Sequence, residues 1–164
     1  MLDTIRSRYS TVLFDPRPID DDKIASLFEA ARWAPSSRNI QPWRFYYSKH
    51  SSGSFNDFVS LLMPSNQVWA KHASLLIVAA AEVSNEKGPS RHAWHDTGLA
   101  TSALLLQATA LGLATHPMGG FDAAKTKDLL KLPANLEPVT MIAVGYQGNI
   151  DQASDEMKLK ETER

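Results

Sequence analysis

The chain has 164 residues, of which 43% are hydrophobic and 21% charged, and its formal net charge is −1. That is room for one domain with a substantial core, and so even a charge balance gives no electrostatic reason to expect nucleic acid or an anionic membrane as a partner. There is no cysteine, so disulfides, thiolate metal sites and thiol catalysis are excluded together.

Residues 1–6 lack the apolar stretch and small-residue cleavage site of a secretory signal, and a cytoplasmic location is the simple expectation. Over residues 21–34, Ile24, Leu27, Phe28 and Ala31 recur at helical spacing behind the acidic run Asp20-Asp21-Asp22, and Pro35 ends the pattern. This helix delivers the chain into Ala34-Pro35-Ser36-Ser37-Arg38-Asn39-Ile40-Gln41-Pro42-Trp43. Two prolines restrict the backbone of that run, and its Ser, Asn and Gln side chains offer donors and acceptors to a planar polar ligand. A small-molecule site is expected there. Trp43, Phe45 and Tyr47 then alternate with Arg44, Tyr46 and Ser48, the period of a half-buried strand, and the aromatics read as packing.

Phe55, Phe58, Val59 and Leu62 mark a short helix that stops near Pro64, with a further turn or two around residues 67–72. The continuous apolar run at 74–83 predicts a central strand. Residues 85–91, which contain Gly88-Pro89-Ser90, predict a mobile loop able to gate a site. The uncharged stretch at 97–115 approaches membrane-spanning length but carries Thr97, Thr101, Ser102, Gln107 and Thr109. It reads as a buried Ala/Leu helix, capped by Asp96 or Thr97 and ended at Gly112. A short connection leads to Pro117-Met118-Gly119-Gly120-Phe121, followed by a helix over 122–132 and a last core strand over 140–146. Residues 151–164 form a charged tail with no evident partner face, so the division is one domain over 1–150 and a tail over 151–164.

His92, His95 and Asp96 have a spacing that could ligate a metal on a helical turn, but surface and capping roles are the better reading without a third clear ligand, and no metal is expected. His116, ahead of Pro117, reads as structural, with proton delivery as its alternative. Glycine-rich phosphate-loop and dinucleotide-fold signatures are absent.

Taken together, Arg8-Tyr9-Ser10, the Pro-Ser-Ser-Arg-Asn-Ile-Gln-Pro-Trp element, Asn66 ahead of a buried strand and Pro-Met-Gly-Gly-Phe after a long helix resemble the FMN-dependent nitroreductase family. The resemblance extends to about Tyr146. It implies an α+β fold in which helices flank a mixed, largely antiparallel sheet, and a homodimer with FMN at the interface and the long Ala/Leu helix at its core. It implies hydride transfer from NADH or NADPH through flavin N5 to a nitroaromatic, quinone or similar acceptor in a ping-pong cycle. The alternative is a flavin-binding or interaction protein of the same fold without turnover.

The resemblance also implies roles for residues. Arg8, Tyr9 and Ser10 would hold the FMN phosphate, for which a cation and hydroxyl donors are suited. Asn66 would meet the pyrimidine edge of the flavin. Pro35, Ser36, Ser37 and Asn39 would be presented across the interface to the partner's flavin. Pro117, Met118, Gly119 and Gly120 would lie beside the reactive edge, with the Gly119 backbone N–H aimed at N5. Taken singly, Arg8 could be a solvated surface arginine, Asn66 a helix cap and Gly119-Gly120 an ordinary turn. Val12 and Trp69 stand where relatives often carry Lys or Arg, and residues 161–164 lack the basic tail that helps hold the phosphate, so weaker FMN binding and an altered potential are expected. Arg38, Arg44 or Lys71 could compensate.

Overall fold

Leu75, Leu76, Ile77 and Val78 are all completely buried, as in a strand covered on both faces. They lie at the centre of a five-stranded sheet, in a computed structural model that describes residues 1–86 and 88–162. In chain order the elements are α1 (Asp3–Ser7), β1 (Phe14–Asp15), α2 (Asp21–Arg32), a 3-10 turn (Ser37–Asn39), β2 (Trp43–Lys49), α3 (Phe55–Val59), α4 (Pro64–Ala70), β3 (Leu75–Glu82), β4 (Ser84–Asn85) and β5 (Gly88–Pro89). Then come α5 (Ala93–Ala110), β6 (Ala114–Met118), α6 (Ala123–Leu130), β7 (Leu136–Gln147), a 3-10 turn (Ile150–Gln152) and α7 (Asp155–Thr162).

Strand β3 pairs antiparallel with β2 on one side and β7 on the other, and the outer edge of β7 pairs antiparallel with β6 and β1. A parallel bridge from Ser10 to Thr115 gives the sheet its mixed character. This is the α+β arrangement expected from the sequence. Alternation along the central strands separates two cores. Leu75 and Ile77 of β3, with Ile142 and Val144 of β7, face Ile24, Leu27 and Ala31 of α2 and Ala100, Leu104 and Ala108 of α5. Leu76 and Val78, with Met141 and Ala143, face Phe55 and Phe58 of α3, Leu61 and Leu62 of the following turn and Trp69 of α4.

Several boundaries differ from the sequence expectation for identifiable reasons. The helix expected from residue 97 begins at Ala93, and His92 occupies its N-cap position, so Asp96 is not the cap but sits inside the first turn. Its end behaves as expected: Gly112 adopts φ 73° and the Leu113 N–H returns to the Ala108 carbonyl at 2.9 Å. The connection expected before Pro117 is strand β6, because β7 is long enough to bind a second partner along its outer edge. The register of β3 on β7 shifts between Ala79 and Ala80, opposite Pro138, which has no N–H to give the ladder. The loop expected at 85–91 is in part a small hairpin of β4 and β5, turned at Gly88 with φ 106° and tied by Ser90 N–H to the Val83 carbonyl at 2.7 Å; Lys87 lies outside the described residues.

The tail is the largest difference. Helix α7 packs Met157 against the second core, and Glu161 accepts from Thr11 Oγ1 at 2.7 Å, Val12 N at 3.0 Å and Gln147 Nε2 at 3.0 Å. Residues 163–164 of the expected tail lie outside the described residues. Burial alone would raise the Glu161 pKa, but the donors from Thr11, Val12, Tyr9 and Gln147 outweigh it and hold the carboxyl below its ordinary 4.5. A depressed folded-state value means that the anchor is fully effective above the ordinary value and is lost as pH falls through the folded one. Glu161→Gln should therefore cost about 1 kcal/mol at neutral pH. Thermal melts of both proteins should converge as the pH is lowered below 4.5, and a constant difference down to strong acid would show that the carboxylate is not the anchor.

Candidate functional site

The sequence-predicted residues of three separate segments are joined along β6 and the turn that follows it. Chain direction after α1 is extended at Arg8, and the Arg8 guanidinium Nη1 donates to Ser10 Oγ at 3.4 Å. Ser10 bridges Thr115, and β6 continues from there through Pro117 and Met118 into Gly119 and Gly120. Asn66, in the first turn of α4, donates from Nδ2 to the Gly120 carbonyl at 3.1 Å, and the Met63 N–H donates to the same oxygen at 2.9 Å. Asn66 is therefore not a helix cap; Met63 holds that position.

The two glycines have different jobs. A Cβ on Gly120 would lie 2.8 Å from Asn66 Nδ2, so a side chain there would displace the Asn66 amide from its bond to the Gly120 carbonyl. A Cβ on Gly119 would meet nothing within 4 Å. Gly119 thus borders open space, which an incoming group could fill, and the fold does not explain its missing side chain.

Next to this group, His116 donates from Nδ1 to the Thr11 carbonyl at 2.8 Å, and its ring centroid lies 4.4 Å from that of Trp69. Burial pulls its pKa below the usual value and the Arg8 charge adds to that, against the opposing pull of the Thr11 carbonyl and Glu161. A neutral, packed imidazole fits the structural reading. Trp69 stacks in turn on Phe14, with centroids 6.1 Å apart. Val12 and Trp69 are only 7% and 5% exposed. The two positions where the resemblance implied cations are thus core positions here, where an ammonium would have to be buried. Arg44 is committed elsewhere: Nη2 pairs with Glu82 Oε2 at 2.7 Å, and Nη1 donates to the Gln41 and Trp43 carbonyls at 3.0 and 2.8 Å.

The Pro35 to Asn39 loop is held from the other side of the sheet. Arg38, Asn39 and Gln41 have φ of 53°, 57° and 53°, a left-handed conformation costing about 1–3 kcal/mol per non-glycine residue unless its surroundings enforce it. Asp96 Oδ2 accepts from the Ser37 N–H at 2.8 Å, Ser36 Oγ accepts from the Gln41 N–H at 3.0 Å, and Gln41 Nε2 donates to Asn39 Oδ1 at 3.2 Å. His95 Nδ1 donates to the second Asp96 oxygen at 2.9 Å. The Asp96 side chain is 6% exposed. Its burial favours the neutral acid, yet the donors from His95 and Ser37 and the nearby His92 hold its pKa below the ordinary carboxylate value.

Asp96 is the residue that sequence reasoning misassigned. A histidine directly before it was visible, but a partner 59 positions away was not. Trp33 is 74% exposed and donates from Nε1 to Glu29 at 2.9 Å. Among the described residues no three His, Asp or Glu side chains converge as metal ligands, and no helix is long and apolar enough to cross a membrane.

The model of the nitroreductase family matches residues 5–54 and 59–146. Protein DrgA of Synechocystis sp. is 31% identical over 87% of this chain and 82% of its own length. A protein of Archaeoglobus fulgidus named "Putative NADH dehydrogenase/NAD(P)H nitroreductase" is 28% identical over 88% of this chain and 84% of its own. A crystal structure described as an oxidoreductase containing FMN superimposes with a TM-score of 0.93 at 32% identity, covering 98% of this chain and 84% of the other. Fold, ordered motifs and likeness along nearly the whole length agree, and the chain belongs to the nitroreductase family.

Proposed function

We propose that this nitroreductase-family oxidoreductase binds FMN through Arg8, Tyr9, Ser10, Asn66, Pro117, Met118, Gly119 and Gly120, and transfers hydride from NADH or NADPH to a small acceptor such as a nitroaromatic or quinone. The observation that carries the reading is the meeting of Arg8 and Ser10, through the Ser10 to Thr115 bridge, with the Gly119 edge that borders open space. The donor set fits the cofactor. A guanidinium and a hydroxyl suit a dianionic phosphate, and a carboxamide suits an edge of alternating donors and acceptors. FMN, when bound, supplies the two-electron exchange between nicotinamide and acceptor. The chain's part is to bind, orient and exclude water.

Arg8 would neutralise the phosphate and Asn66, fixed to Gly120, would set the depth of the ring. The Gly119 backbone, unencumbered by a side chain, would approach the reacting edge. No side-chain nucleophile is required. The domain would span residues 1–150, with 151–164 as a tail that returns to it through Met157 and Glu161.

The active form would be a homodimer in which Pro35, Ser36, Ser37 and Asn39 complete the partner's site. Exposed Trp33, Ile40 and Trp94 support such an interface, since large apolar groups of this kind favour burial against a second surface. Purified protein should be yellow, bleach with NADH or NADPH without oxygen, and recover its colour on addition of a quinone. A colourless protein that ignores added FMN would overturn the flavin reading. A yellow protein that no nicotinamide bleaches would overturn turnover and leave a flavin-binding protein of the same fold.

A further inference from the structure

A loop with three non-glycine residues at positive φ does not hold its shape by its own preferences. Pro35 and Pro42 restrict its ends, and Ser36 Oγ and Arg44 tie its far side to Gln41. On the near side the Asn39 and Ile40 N–H groups close a tight turn on the Ser36 and Ser37 carbonyls at 3.0 and 3.1 Å, and Asp96 Oδ2, accepting from the Ser37 N–H at 2.8 Å, joins that turn to α5. Asp96 has few other reasons to be ionised where it is. Its side chain is nearly inaccessible, it lies on the face of α5 turned toward the loop, and its other oxygen is occupied by His95 Nδ1 at 2.9 Å. A buried carboxylate with no such donors would be costly, whereas one that joins two segments through charge-assisted hydrogen bonds fixes their relative position. The first turn of an 18-residue helix also favours an anion there.

We infer that Asp96 is a positioning residue of the flavin site: through its bond to the Ser37 N–H it holds residues 35–41 in the one conformation that presents Ser36, Ser37 and Asn39 to the cofactor, with His95 orienting the carboxylate. Asp96 does not touch the cofactor in this account; it acts through the loop. The inference rests on the flavin reading above, so its test separates the loop from the flavin.

The variants are Asp96→Ala, which removes both bonds, and Asp96→Asn, which keeps an oxygen able to accept from Ser37. Amide hydrogen exchange over the 36–41 peptide, without added flavin, reports the loop directly. Exchange there should rise in Asp96→Ala while the β3 and β7 peptides stay protected, and should return most of the way in Asp96→Asn. In parallel, FMN titrations followed by quenching of flavin fluorescence should show binding weakened roughly tenfold in Asp96→Ala, with a shifted visible flavin band, and largely restored in Asp96→Asn. Unchanged exchange at 36–41 would overturn the inference, and so would a loosened loop with wild-type FMN affinity and spectrum. Equal damage in both variants, in proportion to a fall in melting temperature, would show a merely structural aspartate and overturn it too. Wild-type protein that ignores FMN would instead defeat the flavin reading and take the role of Asp96 with it, even with the exchange result as expected.

Discussion

Arg8→Ala should weaken FMN binding roughly 10- to 150-fold and leave riboflavin binding unchanged. Hydrogen bonds to a charged group contribute about 1.5–3 kcal/mol, and each 1.4 kcal/mol is about a tenfold change in affinity. The comparison isolates the phosphate, because riboflavin carries the same ring without it. Arg8 is the residue to test because the other positions from which the family resemblance would lead one to expect positive charge are filled differently. Val12 and Trp69 are packed into the core with Phe14, and of the cations that could compensate, Arg44 is bound to Glu82 and two backbone carbonyls. Ser10→Ala removes a neutral donor and should cost only several-fold, about 0.5–1.5 kcal/mol. Raising the salt concentration should weaken wild-type FMN binding more than that of Arg8→Ala, since screening acts on the charge that the variant lacks. Fluorescence titration with both flavins reads all of this. Equal losses for FMN and riboflavin would mean that Arg8 acts through the fold, and no loss for either would place the phosphate elsewhere.

What the sequence made legible follows from how far apart the interacting residues lie. The α2 helix and the β3 strand were readable because periodicity is local: Ile24, Leu27 and Ala31 repeat at helical spacing, and the run from Leu75 has the length and apolarity of a covered strand. The members of the candidate site were readable as an ordered set of motifs, but not as a geometry. Asn66 reaches Gly120 across 54 positions, Asp96 reaches Ser37 across 59 and Glu161 reaches Thr11 across 150. No window of residues contains such a pair. Strand β6 was hidden for a related reason. Five residues that include His116 and Pro117 have little strand character of their own, and pairing with β7 decides their conformation. Helix α7 is strongly polar, so its few anchors, Met157 and Glu161, were invisible until the surface that receives them was known.

The structure shows what stands at the two positions where the resemblance implied cations. At Val12 and Trp69 the question is not only which charge is lost but what occupies the volume. The ring of Trp69 lies between Phe14 and His116, and His116 is pinned to the Thr11 carbonyl. An aromatic stack therefore packs against the backbone from Thr11 to Phe14, next to Ser10. With Val12 and Trp69 buried and Arg44 committed to Glu82, Arg8, Arg38 and Lys71 are the cations to compare for an effect on a bound anion, and the riboflavin control singles out Arg8 among them.

Gly119→Ala should leave the protein as stable as wild type and lower turnover roughly 100-fold. The backbone at Gly119 is not in the left-handed region, and an added Cβ would meet nothing within 4 Å, so the fold should accept alanine within about 0.5 kcal/mol. The same methyl group projects into the space that the reacting edge of the cofactor would occupy, and displacement of reacting atoms by about 1 Å can cost on the order of 100-fold in rate. Gly120→Ala is the contrasting variant. Its Cβ would press on Asn66 Nδ2 at 2.8 Å and disturb the bond to the Gly120 carbonyl, so stability should fall by about 1–3 kcal/mol together with activity. Thermal melts, FMN titration and the rate of reduction by NADH or NADPH measured without oxygen distinguish the two. A Gly119→Ala protein with full turnover would mean that the open side of Gly119 does not face the reacting edge. A Gly119→Ala protein that melts early would mean that the fold, after all, accounts for the glycine.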